Sequence, residues 1–594
     1  MDTYRAPIDD VRFSLETHGG LTGLMDLPGY EEASWDLADA ILEAAGKFAD
    51  EVIAPLNRPG DIAGCRYQNG VVTTPAGTVE AYRQFASGGW GSLPFDPDFG
   101  GQGLPWLLSI AVSEFWNSAS MSFGLCPLLT QSAAELLALA GSEEQKRRYL
   151  PHLVSGEWAG TMNLTEPQAG SDLGLIRTRA ERDGDHFRIR GQKVFITYGE
   201  HDLTRNIIHF VLARTPGAPE GVKGISLFIV PKFLVGDDGE PGPRNDLRCV
   251  SIEHKLGIAA SPTAVMAYGE NEGAVGYLVG GENAGLAHMF VMMNNARMAV
   301  AMQGTAISER AYQQALAYAR ERRQGQAGGG GGGAPAPIIR HPDVRRMLMS
   351  MKARTEASRG LIHFTAGRLD QAKRHPDPAT RREAQGDVGL LTPVIKAWAT
   401  DLGVENASTG IQIHGGMGFI EETGAAQHYR DARINPIYEG TNGIQASDLL
   451  RRKLIPDNGA AARRFIARMT ATREALSGGT SDHAPALHET LEQGLTALDQ
   501  ATGWLLGADA NRAAAAATPY LRLFGTVAGG WVMARSLLAA EAALAAGEGD
   551  SAFLEARRIT ARFYADSVLP EAPALAEVVM RSGPGCLEIA DEHF

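Results

Sequence analysis

The hydrophobic period of this chain changes twice, and nothing else in the sequence limits its fold as strongly. Up to about residue 160 apolar residues recur every three or four positions: Leu37, Ile41, Ala44, Phe48, Val52 and Ile53 mark one face of an amphipathic helix over 36–57. From there to about Gly281 the pattern is that of strands, with β-branched and aromatic runs at 194–196, 207–212, 225–230, 250–252 and 265–268 separated by turns. Helical spacing then returns over 286–323, 342–369 and 391–409. The expected fold class is α+β, in the order helices, sheet, helices.

Within the first helical region, residues 90–103 are turn-rich, and helices are expected at 106–116 and 131–139. Ser142 and Gln145 form a capping box for a helix over 143–150, which Pro151 is expected to stop. Residues 324–337, with consecutive glycines from Gly328 to Gly333, read as a flexible insertion. A phosphate cradle is disfavoured there, because no strand precedes and no Gly-Lys-Ser/Thr follows. From about Asp457 the chain is rich in Ala and Leu with Gly-Gly and Pro breaks, as in an appended helical domain. At 594 residues the chain exceeds one core at about 100–200 residues per domain, and we expect domains at 1–158, 159–283, 284–456 and 457–594.

The net charge of −14 argues against a basic face for nucleic acid or anionic lipid. Cys65, Cys126, Cys249 and Cys586 lie far apart, without metal-ligand or disulfide spacing, so reduced thiols and no metal site are expected. The N-terminus lacks the charged and apolar regions of a signal peptide, and no run approaches the roughly 20 apolar residues of a membrane span. A soluble, cytoplasmic protein is the expectation.

Several segments carry chemistry. In 435–445, Pro436 opposes a continuing helix, Gly440 and Gly443 permit close backbone approach, and Thr441 and Asn442 offer caps before a helix from Ile444, which leaves Glu439 as a loop carboxylate. Residues 165–172 are dense in hydroxyls and uncommitted N–H groups able to hydrogen-bond a polar heterocycle, where the plainer alternative is a Pro-Gly surface turn. Phe195 and Thr197 lie two apart on one side of a strand, able to stack on and hydrogen-bond a cofactor. Residues 410–419 follow a helix and have Glu421 where a dinucleotide fingerprint needs its last glycine, so a Rossmann site is disfavoured, and His414 reads as a packed histidine.

Together, residues 165–172, 191–197, 319–322, 412–418 and 437–441 resemble the acyl-CoA dehydrogenase family, in its motif order, over about 36–454. The resemblance implies an N-terminal helical domain, a middle β-barrel-like domain and a C-terminal four-helix bundle, here with an appended helical domain. It implies FAD as cofactor and an acyl-CoA substrate, converted to trans-2-enoyl-CoA with electron-transfer flavoprotein as acceptor. On that basis Glu439 is the α-proton base, with its own N–H and a ribityl hydroxyl as the oxyanion site. Met162, Leu164, Thr165, Ser171, Phe195, Thr197 and Thr441 meet the flavin; Arg322, Gln412, Gly415 and Gly416 reach the FAD of a neighbouring subunit, which implies a homo-oligomer, expected to be a dimer. Ser171, Asn294, Arg297, Tyr438 and Gly440 face the substrate, although Arg297 equally suits a structural partner.

The chain departs from the family pattern where Arg323-Gln324-Gly325 replaces the usual aromatic-Gly pair, and where Asn294 replaces a common aspartate. The appended domain and the opening Tyr4-Arg5-Ala6-Pro7 resemble the longer branch that includes methylmercaptopropionyl-CoA dehydrogenases. Competing expectations are a medium- to long-chain fatty acyl-CoA dehydrogenase, a flavin-bearing binding protein without dehydrogenation, and an oxidase.

Overall fold

The computed structural model describes residues 4–326, 335–478 and 481–594; the glycine run 328–333 lies outside them. The chain divides into two compact units, residues 40–299 and residues 1–39 with 300–594.

In the unit 40–299, the helices Trp106–Ala119 and Met121–Ala140 are buried on nearly every face, Ser120 capping the second through Phe123 N–H. The second begins ten residues before the expected 131, because its first three turns are buried throughout and show no apolar stripe to read. The capping box at Ser142 and Gln145 is present, but the helix Glu143–Ser155 runs through Pro151 and ends where Gly156 turns left-handed (φ 77°). Only one backbone donor is lost at Pro151, and buried Leu150, Leu153 and Val154 hold the last turn in place.

An eight-stranded sheet follows, all expected strand runs falling within it to within one residue. Its order from one edge is Leu247–Ile252, Thr263–Tyr268, His186–Thr197, Ala274–Leu278, Ser226–Pro231, Asn206–Ala213 and Trp158–Asn163, with Arg179–Asp183 branching from His186–Thr197. Trp158–Asn163 pairs in parallel with Asn206–Ala213, and Arg179 makes an isolated parallel bridge to Arg214. The long strand His186–Thr197 pairs through its first half with one set of neighbours and through its second with another. The sheet thereby curls around one core, in which Phe187, Ile189, Ile196, Phe228, Val230, Cys249 and Met266 meet. The strand Trp158–Asn163 escapes sequence reading because almost all of it is buried, so it shows no alternation.

The other unit is built on the part of the long helix Gly285–Glu321 from Val300 onward and on the helices Pro342–Arg374 and Pro378–His414. Gly304 permits near contact with the helix Pro378–His414: an added methyl would lie 2.4 Å from the Ala399 carbonyl oxygen. The helices Ala460–Leu476, Ala484–Gly507, Ala510–Ala546, Ser551–Ser567 and Glu571–Arg581 make up the appended region. Residues 4–39, grouped above with the N-terminal helical domain, pack in this unit: His363 Nδ1 lies 2.9 Å from Ser14 Oγ, and Arg557 pairs with Asp10. Two helices, Met121–Ala140 and Ala510–Ala546, are long and apolar enough to cross a membrane, contrary to the sequence reading. About four-fifths of each apolar window is buried inside the fold (78 % and 83 %), as in core helices.

Candidate active site

The turn bearing Glu439 is built from local bonds. Ile437 and Tyr438 donate to the Ile434 carbonyl (2.8 and 3.1 Å), Asn442 N–H closes the loop onto Pro436 O (2.9 Å), and Thr441 Oγ1 caps Ile444 N–H at 3.2 Å. Glu439 (φ 55°) and Gly440 (φ 84°) are both left-handed. For a glutamate this costs about 1–3 kcal/mol and persists only where the surroundings enforce it. Buried Gln445 supplies part of that, its Nε2 donating to the Glu439 and Gly440 carbonyls (3.3 and 3.2 Å). Lys396 Nζ supplies more, donating to Gly440 O at 2.9 Å. Tyr438 donates to Gln303 Oε1 and Asn435 Oδ1; burial, reinforced by the Glu439 carboxylate, pushes its phenol well above the usual range. The half-buried carboxylate thus stands beside a neutral phenol on a backbone it did not choose.

In the other unit a second constellation forms around an ion pair. Glu166 and Lys193 are both buried, with Nζ 2.8 Å from Oε1. Glu166 also accepts from Arg177 N–H (2.7 Å), Thr178 N–H (3.1 Å) and Thr178 Oγ1 (2.6 Å), and Lys193 donates to Leu164 O (3.0 Å). With Val194 N–H on Thr165 O (2.9 Å), these bonds bring the 162–172 segment alongside the end of strand His186–Thr197. Met162, Leu164, Thr165 and Thr197 are half-buried there and Ser171 is exposed. Phe195 is left-handed (φ 60°) and 62 % exposed, so a large ring is held uncovered in a strained conformation. Burial alone would raise the Glu166 carboxyl, but Lys193, Thr178 and the Arg177 amide outweigh it and hold it at about 2. A carboxylate depressed from 4.5 contributes stability that is complete above that value and lost as pH falls toward 2. Acid unfolding is therefore expected to steepen below pH 4.5, and Glu166→Gln to remove this component in a pH series of thermal melts.

The remaining candidates fall in two places. Asn294 is exposed and Arg297 buried, its Nη1 donating to Asn294 Oδ1 at 3.4 Å with Phe290 beneath the guanidinium. Their neighbour Asn295, which no motif marked, ties this helix to Glu135 and to Ser132 Oγ (3.1 Å). In the unit 1–39 with 300–594, Tyr318 stacks on His414 with centroids 4.4 Å apart. That contact brings the end of helix Gly285–Glu321, beside Arg322, next to the helix end bearing Gln412, Gly415 and Gly416; all four of these residues are exposed. His414 Nδ1 lies 2.7 Å from Gly410 O, as a packed histidine should.

Comparison with known proteins covers almost the whole chain. Residues 36–157, 161–268 and 283–454 match the N-terminal, middle and C-terminal domains of acyl-CoA dehydrogenases, and residues 465–590 match the acetyl-CoA dehydrogenase C-terminal-like domain. The 3-methylmercaptopropionyl-CoA dehydrogenase of Ruegeria pomeroyi is 51 % identical over 98 % of this chain and 99 % of its own. A butyryl-CoA dehydrogenase of Syntrophomonas wolfei is 33 % identical over 100 % and 99 %. The structure of an acyl-CoA dehydrogenase from Bacillus anthracis complexed with FAD superposes with a TM-score of 0.74 at 20 % identity, covering 96 % of this chain and 91 % of that one, a likeness of fold.

Proposed function

The chain belongs to the acyl-CoA dehydrogenase family, and we propose that it dehydrogenates 3-methylmercaptopropionyl-CoA across its α,β bond to methylthioacryloyl-CoA. The family supports FAD-dependent acyl-CoA dehydrogenation, and the 51 % identity over nearly the full length supports this substrate. The observation that carries the chemistry is a glutamate held left-handed on a braced turn.

The residues fit FAD. A flat heterocycle needs an uncovered face and nearby hydroxyls, and exposed Phe195, with Thr165, Ser171 and Thr197 around it, offers both. In this reading Met162, Leu164, Thr165, Ser171, Phe195, Thr197 and Thr441 hold FAD, and Arg322, Gln412, Gly415 and Gly416 hold that of a second subunit in a homodimer. When bound, FAD supplies the acceptor for the hydride leaving the β-carbon.

Glu439 takes the α-proton. A thioester α-proton is weakly acidic, so its removal needs a positioned carboxylate and N–H donors for the charge growing on the carbonyl oxygen, a part assigned here to the Glu439 N–H. Gly440 leaves room for the thioester, and Ser171, Asn294, Arg297 and Tyr438 are assigned to substrate contacts. Electron-transfer flavoprotein is the proposed electron acceptor.

Anaerobic bleaching of the bound flavin by a panel from propionyl- to palmitoyl-CoA, with 3-methylmercaptopropionyl-CoA included, tests this. The methylthio substrate is expected to bleach fastest. A butyryl-CoA or longer-chain preference would overturn the substrate, bleaching by none would overturn the reaction, and peroxide formed without electron-transfer flavoprotein would indicate an oxidase.

A further inference from the structure

Two consecutive left-handed residues need something to hold their carbonyls, and at Gly440 one of the holders is a fully buried lysine in the middle of helix Pro378–His414. Lys396 Nζ donates to Gly440 O and to Asn442 Oδ1, both at 2.9 Å. Asn442 is fixed in turn: its Nδ2 donates to Ala397 O (3.1 Å), Thr400 Oγ1 (3.0 Å) and Asp401 Oδ1 (2.7 Å). Four groups on one helical stretch thereby grip the two ends of a three-residue segment beside Glu439.

The outer side of that stretch is covered by the appended helices. Trp398 lies against Gly525 and Gly529 of helix Ala510–Ala546; a methyl at Gly525 would come within 2.4 Å of Trp398 Cγ. One turn beyond Asp401, Glu405 accepts from Arg522 Nη1 (2.9 Å) and from Arg354 Nη1 (2.9 Å), and Arg354 Nη2 reaches Glu571 (3.3 Å). Burying a lysine is costly, and its hydrogen bonds here go to a carbonyl and an amide oxygen while the Asp401 carboxylate offsets part of the cost through space. A neutral side chain would pack there with less desolvation, and the charge is explained by what it holds.

We propose that Lys396, oriented by Asn442 and Asp401 under the appended helices, is a positioning residue that keeps Glu439 and Gly440 in their left-handed conformations for α-proton removal. The inference rests on Glu439 being the base. A misplaced base loses rate with little loss of substrate affinity, because the acyl-CoA contacts assigned to Ser171, Asn294 and Arg297 do not involve Lys396.

The test uses the full-length holoenzyme with α-deuterated and unlabelled acyl-CoA. Lys396→Met is expected to keep its flavin and fold and to hold KM within about threefold, with kcat down about 10- to 100-fold and a larger α-deuterium isotope effect. Asn442→Ala, which keeps the lysine but frees it, is expected to show the same split at a smaller magnitude. Unchanged kcat per bound flavin in either folded variant overturns the inference, as does a loss confined to melting temperature and flavin content. The base assignment fails separately, if Glu439→Gln turns over normally; an inert Glu439→Gln beside a fully active Lys396→Met refutes only the positioning role.

Discussion

Glu439→Gln is expected to abolish turnover while leaving the protein folded and yellow. The amide keeps the shape of the side chain and removes the base. A positioned general base contributes about 10²–10⁴-fold, and the α-proton of a thioester is acidic enough to leave only with such help, so kcat should fall by at least about 10³-fold. The three braces described above are kept: Gln445 and Lys396 bind the backbone carbonyls, and Thr441 caps the following helix, none of them through the carboxylate. Melting temperature and flavin content should match the parent, and stopped-flow bleaching reads the loss. Bleaching within tenfold of the parent rate would refute the assignment. Glu439→Gly sharpens the point: with φ at 55°, glycine removes the cost of a side chain in the left-handed region. That variant should melt no lower than the parent and still be inert, a separation of stability from function expected where strain serves a site.

The second large effect is on stability. Lys193→Met is expected to destabilise the unit 40–299 by about 3–5 kcal/mol, because it strands the Glu166 carboxylate in a site with only a few per cent exposure. Thr178 and the Arg177 amide still donate to that carboxylate, so the lower part of the range is favoured. The double variant Lys193→Met with Glu166→Gln should recover most of the loss, since a neutral pair leaves no unpaired charge. Thermal melts of the two single variants and the double variant measure the coupling. Near-additive losses would mean the pair does not hold the 162–172 segment, and flavin retention by Lys193→Met equal to the parent's would mean that segment does not need it.

Much of the fold can be read in advance wherever one face of an element is wet. The long helices Gly285–Glu321 and Pro342–Arg374 start within one residue of where their spacing places them. All five strand runs lie in strands to within one residue, Ile225 preceding the strand Ser226–Pro231, and the capping box at Ser142 forms as its residues dictate. Reading fails where burial is nearly complete: the first turns of Met121–Ala140 and the strand Trp158–Asn163 are covered on nearly every side and carry no period. It fails at Pro151 because apolar contacts on the last helical turn offset one missing hydrogen bond.

The site divides along the same line. Residue types and local order mark Glu439, Phe195, Thr197 and the 165–172 segment only as candidates, because turn chemistry and motif order are properties of neighbours in sequence, and the family resemblance is what proposes their roles. The left-handed backbone at Glu439 and Phe195, the pairing of Glu166 with a lysine 27 residues away and the grip of Lys396 on a carbonyl 44 residues away belong to the tertiary structure. A helix or strand announces its own face, but which distant charge is driven to meet it depends on packing that no local pattern records. Here packing places two lysines out of water, where each must find an acceptor, and the segments proposed to carry the chemistry provide them.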